Sequence, residues 1–154
     1  MKISDNGLNL IKQFEGFSAQ AYTCPAGKRT IGYGHVILTG EKFPPEGISK
    51  IAAEDTLKID VSKAQKAVLR LVRVPLTQHQ FDALVSFVYN IGGKAFREST
   101  MLSLLRENKM DLAAAEFDKW VYAGGKMLKG LANRRFEESE MFRLPLPPAI
   151  HPYS

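Results

Sequence analysis

Cysteine is nearly missing from this chain: of its 154 residues only Cys24 carries a thiol. No internal disulfide can form, which fits a reducing compartment. No apolar run approaches the ~20 residues of a membrane-spanning helix. The N-terminus, MKISDNGLNL, lacks the basic region and apolar core of a secretion signal, so neither stable membrane association nor signal-peptide export is expected. Histidine occurs only three times, and no cluster of histidine, cysteine and carboxylates has metal-ligand spacing; the expectation is no metal and no cofactor. Acidic residues are in deficit, with 21 Lys and Arg against 16 Asp and Glu, for a formal charge of +5. That balance favours an anionic polymer, a bacterial wall or a nucleic acid. Adjacent cations occur only at Lys28-Arg29 and Arg134-Arg135, and no homeodomain, zinc-finger or RNA-binding signature is present. Nucleic acid is therefore not the expected partner.

What is present is a globular composition, 45% hydrophobic and 24% charged, long enough to bury roughly two-thirds of the unfolded surface in one domain. Leu8, Ile11, Phe14 and Phe17 recur at helical spacing, predicting a helix from about Ser4 to Glu15 that Gly16 stops. Strand-prone runs Ala21 to Cys24 and Arg29 to His35 flank the turn Pro25-Ala26-Gly27-Lys28, which predicts a β-hairpin. Leu38 to Gly47 reads as a loop and lobe boundary. Ser49 offers a cap for a long helix to about Arg73, with Leu57, Val61, Ala64, Val68 and Leu71 on one face and Lys58, Lys63, Lys66 and Arg70 mostly on the other.

Pro75 ends that helix, and Thr77 with Gln80 makes a capping box for the next. Phe81, Leu84, Val85, Phe87, Val88 and Ile91 surround this next helix on most sides, as in a buried centre ending at Gly92-Gly93. Ser99 is expected to cap Thr100 to Glu107, and Asp111 to cap Leu112 to about Tyr122, with Gly124-Gly125 as breaker. A last helix runs from about Leu131 to Arg143 with Phe136 and Phe142 as apolar anchors, and Trp120 and Phe117 read as core. The predicted fold is α+β and mostly helical. Residues 1–143 form one two-lobed domain: a lobe over about 1–48 holding a small hairpin sheet, a linking helix over about 49–73, and a helical lobe over about 74–143. Residues 144–154, with four prolines in eleven positions, form an extended tail.

Chemistry concentrates between Leu8 and His35. Glu15 falls in the last turn of the first helix, where the negative end of the helix dipole and the rings of Phe14 and Phe17 favour the neutral carboxyl that a general acid requires. A hairpin folded back onto that helix end would set Cys24 and Thr30 side by side, facing Glu15.

Glu15, eight residues, Cys24, five residues, Thr30, then Ile31-Gly32-Tyr33-Gly34-His35, resembles the Glu-x8-Asp/Cys-x5-Thr triad of the phage-type lysozymes, glycoside hydrolase family 24, in the subgroup with cysteine in place of aspartate. Three further segments are similar to the same family in the same order: Thr77 to Leu84 running into Tyr89-Asn90-Ile91-Gly92, then Phe117-Asp118-Lys119-Trp120, then Gly130-Leu131 followed by Arg134-Arg135.

The resemblance implies a lysozyme-like body with a cleft between lobes, and an endolysin that hydrolyses the β-1,4 bond between N-acetylmuramic acid and N-acetylglucosamine in peptidoglycan and so lyses the host. Glu15 would be the acid, and the Thr30 hydroxyl would orient water beside Cys24. Whether the thiol positions water, giving inversion, or attacks the sugar, giving retention, stays open. Tyr33, His35 and Arg134 are the substrate-side candidates: Tyr33 as cleft lining, His35 as a tie between the hairpin and the rest, Arg134 as a partner of Glu15. A close arginine favours the charged carboxylate and so opposes the helix end. A monomer is expected, held in the host cytoplasm until a holin opens the inner membrane and then acting on the wall. The rival readings are a non-catalytic wall-binding module, a lytic transglycosylase and a basic nucleic-acid binder.

Overall fold

Three caps set the principal helices. The computed structural model describes residues 1–145. Helix α1 (Asp5–Glu15) begins where the Ser4 hydroxyl accepts from the Gly7 N–H at 3.4 Å and ends where the Gly16 N–H donates to the Lys12 carbonyl at 2.9 Å. Helix α2 (Lys50–Val72) starts at Ser49, whose hydroxyl accepts from the Ala52 N–H at 3.1 Å, and its 23 residues extend about 35 Å at 1.5 Å per residue. Helix α3 (Gln78–Ile91) has the full capping box between Thr77 and Gln80. All three are the helices read from the sequence.

Between α1 and α2 stands an antiparallel sheet of β1 (Ser18–Thr23), β2 (Arg29–Gly32) and β3 (His35–Val36), in that order. The expected hairpin is thus a three-stranded sheet. Its second run divides at Gly32-Tyr33-Gly34, where the chain reverses and pairs Ile31 with His35. Strand β1 pairs Tyr22 with Thr30 and Thr23 with Arg29, leaving Cys24 one residue beyond its end.

Helix α2 touches both parts of the molecule: it packs on β2 and β3, while Val61, Ala64, Val68 and Leu71 enter the apolar core. Helix α3 lies at the centre of that core, with residues Phe81 to Val88 all buried and α1, α2 and α7 (Lys129–Phe142) against it. Its Phe87 ring meets Phe96, Phe117 and Trp120 edge-on at 6.4, 5.1 and 5.6 Å between centroids, the arrangement the aromatic quadrupole prefers. Phe117 and Trp120 are therefore core, as expected. The approach of α1 to α3 depends on a missing side chain, since a Cβ on Gly7 would lie 2.5 Å from Ile3 and 2.9 Å from Asp82.

Several expectations are corrected around the core. A five-residue helix, α4 (Gly93–Arg97), follows Gly92 before α5 (Thr100–Arg106), which Ser99 does cap. Asp111 is not a cap: α6 (Met110–Ala115) starts two residues earlier than expected, from Lys109, and tightens into a 3-10 turn, Glu116–Lys119, so no helix reaches Tyr122. Gly124-Gly125 is instead the turn of a small hairpin, β4 (Tyr122–Ala123) with β5 (Lys126–Met127), both glycines at positive φ as a two-residue hairpin loop requires. Phe142 anchors α7, but Phe136 is 58% exposed, because the inward stripe of α7 is Arg134, Arg135, Glu138 and Ser139. Apart from Leu144 and Pro145, the proline-rich tail lies outside the described residues.

Candidate active site

Glu15 ends α1 under the turn between β2 and β3. Its Oε1 accepts from Arg134 Nη1 at 2.9 Å. Its Oε2 faces Gly34, where a Cβ would come within 2.6 Å and where φ is +79°. Glycine is therefore needed at that position both for the turn and for the approach of the sheet to the carboxyl.

Arg134 is only 4% exposed and has no freedom of its own. Its Nε donates to Glu138 Oε2 at 3.3 Å and its Nη2 to the Ser86 carbonyl at 3.2 Å. Ser86 Oγ in turn donates to the same Glu138 oxygen at 2.6 Å. Arg135 brings a second guanidinium: Nη2 donates to Asn90 Oδ1 at 2.7 Å, Nε sits 2.7 Å from Glu138 Oε1 as an ion contact without hydrogen-bond alignment, and the plane lies 4.9 Å above the Phe87 ring. Burial pushes the Glu138 carboxyl upward, and the charges of Arg135 and Arg134 pull against it. This buried set orients Arg134, and Arg134 orients Glu15. Sequence reading found Arg134 but did not assign Ser86, Asn90 or Glu138 to it: Glu138 stands at i+4 from Arg134 and i+3 from Arg135, a spacing shared by ordinary surface ion pairs, and Ser86 and Asn90 lie on another helix.

The thiol and the hydroxyl do come together. The Cys24 N–H donates to the Lys28 carbonyl and the Gly27 N–H to the Cys24 carbonyl, both at 2.8 Å, closing the turn that sets Cys24 beside β2. Thr30, buried, donates its hydroxyl to the same Lys28 carbonyl at 3.1 Å. The backbone N–H of Lys28, then that of Ala26 and the Thr30 hydroxyl, favour the thiolate and outweigh partial burial, so the thiol of the half-buried Cys24 lies below its ordinary range. Glu15 joins the sheet through Gly34, and among the described residues no hydrogen bond links it to Cys24 or Thr30.

Tyr33 stands in the turn between β2 and β3, its ring 5.4 Å from that of Phe17 and 5.5 Å from Lys12 Nζ, which is itself ion-paired with Glu54. The Tyr89 phenol, which the sequence did not single out as a site group, is held far above its ordinary range. Burial is the main cause, helped by the charges of Glu15 and Asp60 and partly offset by Arg134. It remains a protonated donor at any physiological pH.

His35 has no ring nitrogen free for a sugar: Nδ1 meets Asp60 of α2 at 2.7 Å and Nε2 meets Glu41 at 2.9 Å. It ties the sheet to the long helix. Burial alone would lower its pKa, but the two carboxylates outweigh that and raise it. A base whose folded-state pKa is raised adds stability below the unfolded value of about 6.5 and loses it as pH climbs through the folded value. Urea unfolding of wild type should therefore show a stability increment at pH 5–6 that falls away above neutrality, and His35→Gln should abolish that slope. An unchanged slope in the variant would remove the clamp from the account.

A small sheet joined to a helical core by one long helix, with a carboxyl at the end of the first helix, is the lysozyme class of architecture. The comparisons narrow the class: residues 12–138 match the phage lysozyme family, and the chain belongs to it. It is 47% identical over 144 residues to an endolysin of Bacillus phage PZA, covering 92% of this chain and 55% of that protein. The chain thus spans about half the length of that relative. Among solved structures, the muramidase domain of SpmX from Asticaccaulis excentricus superposes with a TM-score of 0.84 at 39% identity, covering 94% of this chain and 99% of that one. A P22 lysozyme mutant does so with a TM-score of 0.84 at 38% identity, covering 92% and 98%.

Proposed function

We propose that this protein is an endolysin that hydrolyses the β-1,4 bond between N-acetylmuramic acid and N-acetylglucosamine in peptidoglycan, as a member of the subgroup with cysteine at the aspartate position. The observation that carries the reading is the Glu15 carboxyl, clamped through Oε1 by a buried guanidinium and roofed by Gly34, at the sheet that carries Thr30 and has Cys24 just past the end of β1. With Oε1 occupied, Oε2 is the oxygen that carries the proton. Glu15 gives that proton to the glycosidic oxygen as the bond to C1 of N-acetylmuramic acid breaks. Water held between the Cys24 thiolate and the Thr30 hydroxyl attacks C1 from the opposite face and leaves its proton on the thiolate, so the product is inverted. Exchange with solvent then returns the proton to Glu15.

In this reading the sheet region and the helical body act as two lobes joined by α2, Tyr33 and Tyr89 line the cleft, and the protein works as a monomer. It reaches the wall from the host cytoplasm after holin action. Among the described residues no helix is long and apolar enough to cross a membrane.

The test is digestion of purified peptidoglycan: wild type should clear it and release new reducing ends at N-acetylmuramic acid. Anhydro-sugar ends would mean a lytic transglycosylase, and binding without clearing would mean a wall-binding module. For the thiol, the rate of alkylation should rise with pH through a midpoint below the ordinary value of about 8.5, and alkylation should abolish clearing. Cys24→Ala should lose about 10²-fold in rate. Full activity in Cys24→Ser, insensitive to peroxide, would reduce the residue to packing.

A further inference from the structure

A second feature lies along α2, adjoining the cleft at Asp60 and Tyr89 but containing none of Glu15, Cys24 and Thr30. Between α2, the end of α3 and α4 runs an open trough of about 530 Å³. Its floor is small and apolar, with Ala64, Ala67, Gly92 and Gly93; a Cβ on Gly93 would stand 3.8 Å from that of Ala67, so α4 sits close against α2. Its walls are cationic. Lys63, Lys66 and Arg70 project from α2 at helical spacing, and Lys94 and Arg97 face them from α4. Among the described residues none of these five is in an ion pair, and the one carboxylate in the trough, Asp60, is already bound to His35.

Five like charges around one trough repel each other, the more so as neighbours come within a Debye length of about 8–10 Å. Arg70, Lys94 and Arg97 stand in the last turns of α2 and α4, where the helix dipole favours a cation, but Lys63 and Lys66 have no such role, and among the described residues no carboxylate pairs with any of the five. Lys63 and Arg70 lie seven positions apart on α2, about 10 Å of helix, too long a cationic edge for one carboxylate or one phosphate. The trough also joins the reaction site, since Asp60 and Tyr89 line it and Asp60 holds His35, the residue after Gly34.

We propose that this trough binds a phosphodiester polymer of the bacterial wall and seats the enzyme on its substrate surface. The proposal rests on the wall-hydrolase reading above and adds a second, anionic ligand to it. The lysines and arginines would pair with successive phosphates while the small-residue floor lets the polymer backbone lie close. Because the pairs are exposed, the attraction weakens with salt.

The test measures binding of the full chain to purified polyglycerol-phosphate wall polymer at rising salt, for wild type and for Lys66→Glu/Lys94→Glu. Both side chains are exposed, so the reversals leave the core alone. Wild type should bind with an affinity that falls as salt rises, and the double variant should bind at least about tenfold more weakly at low salt. On walls stripped of the polymer with hydrofluoric acid, both proteins should hydrolyse equally; on intact walls the variant should need more substrate to reach the same rate.

Equal polymer binding by the two proteins, or none by either, overturns the proposal. So does a variant whose only defect is towards free stem-peptide carboxylates or duplex DNA. Failure of wild type to hydrolyse stripped wall would instead strike the hydrolase reading, and the binding measurement stands apart from it.

Discussion

Glu15→Gln is expected to lose wall hydrolysis by about 10³-fold, within the range general acid catalysis supplies, while the protein stays folded. The amide keeps the shape and keeps an oxygen for Arg134 Nη1, so the clamp at 2.9 Å persists. What it lacks is a proton to give to the leaving sugar oxygen. The stability change should be no more than about 1 kcal/mol, the scale of one exchanged hydrogen bond, because the Glu15 side chain is partly exposed and Arg134 retains Glu138 and Ser86. Initial rates on purified peptidoglycan, with thermal unfolding beside them, check both halves. A variant hydrolysing at near-normal rate would end the assignment of Glu15.

Glu138→Ala should produce the largest loss of stability of any single change considered. Glu138 is fully buried and faces the guanidiniums of Arg134 and Arg135 at 3.3 and 2.7 Å. Removing it leaves two positive charges inside the core with one neutral acceptor each, Ser86 and Asn90, besides the link to Glu15. Breaking a buried pair in this way costs about 3–5 kcal/mol. The same change frees Arg134 to leave Glu15, so whatever protein remains folded should also hydrolyse more slowly. Urea unfolding of Glu138→Ala and Glu138→Gln side by side separates the effects. The glutamine variant, which can still accept from Ser86 and Arg134, should lose less. A loss under about 1 kcal/mol in the alanine variant would mean that the network does not hold the helices together.

How much of this was legible beforehand depends on how local each feature is. The caps at Ser49 and Thr77 were legible because a cap and its N–H lie three residues apart; Ser4 was read only as the start of its helix, and its hydroxyl proves to be the cap. The meeting of Cys24 and Thr30 followed from strand pairing across one short turn. The third strand was not legible, since Gly32 and Gly34 sit inside a run whose composition reads as one strand, and only the folded chain shows that it reverses there.

The orienting network was hidden for a different reason. Glu138 meets Ser86 across 52 positions and Arg134 meets Glu15 across 119, separations that no window of periodicity spans. Phe136 misled because an apolar residue in a helix is read as the buried face, whereas α7 turns a charged stripe inward. The trough escaped because Lys63, Lys66 and Arg70 read as a solvated face until α4, a helix too short to leave a periodic signal, placed Lys94 and Arg97 opposite them.

The centre of the account is that Glu15 donates the proton while Cys24 and Thr30 hold the water. The measurement that reaches it most directly is the anomeric configuration of the freshly released N-acetylmuramic acid end, read by proton NMR before mutarotation. Inverted α product from wild type, with no covalent sugar on Cys24 by mass spectrometry, is the predicted result. Retained β product with a glycosyl adduct on the thiol would contradict it and make Cys24 the nucleophile.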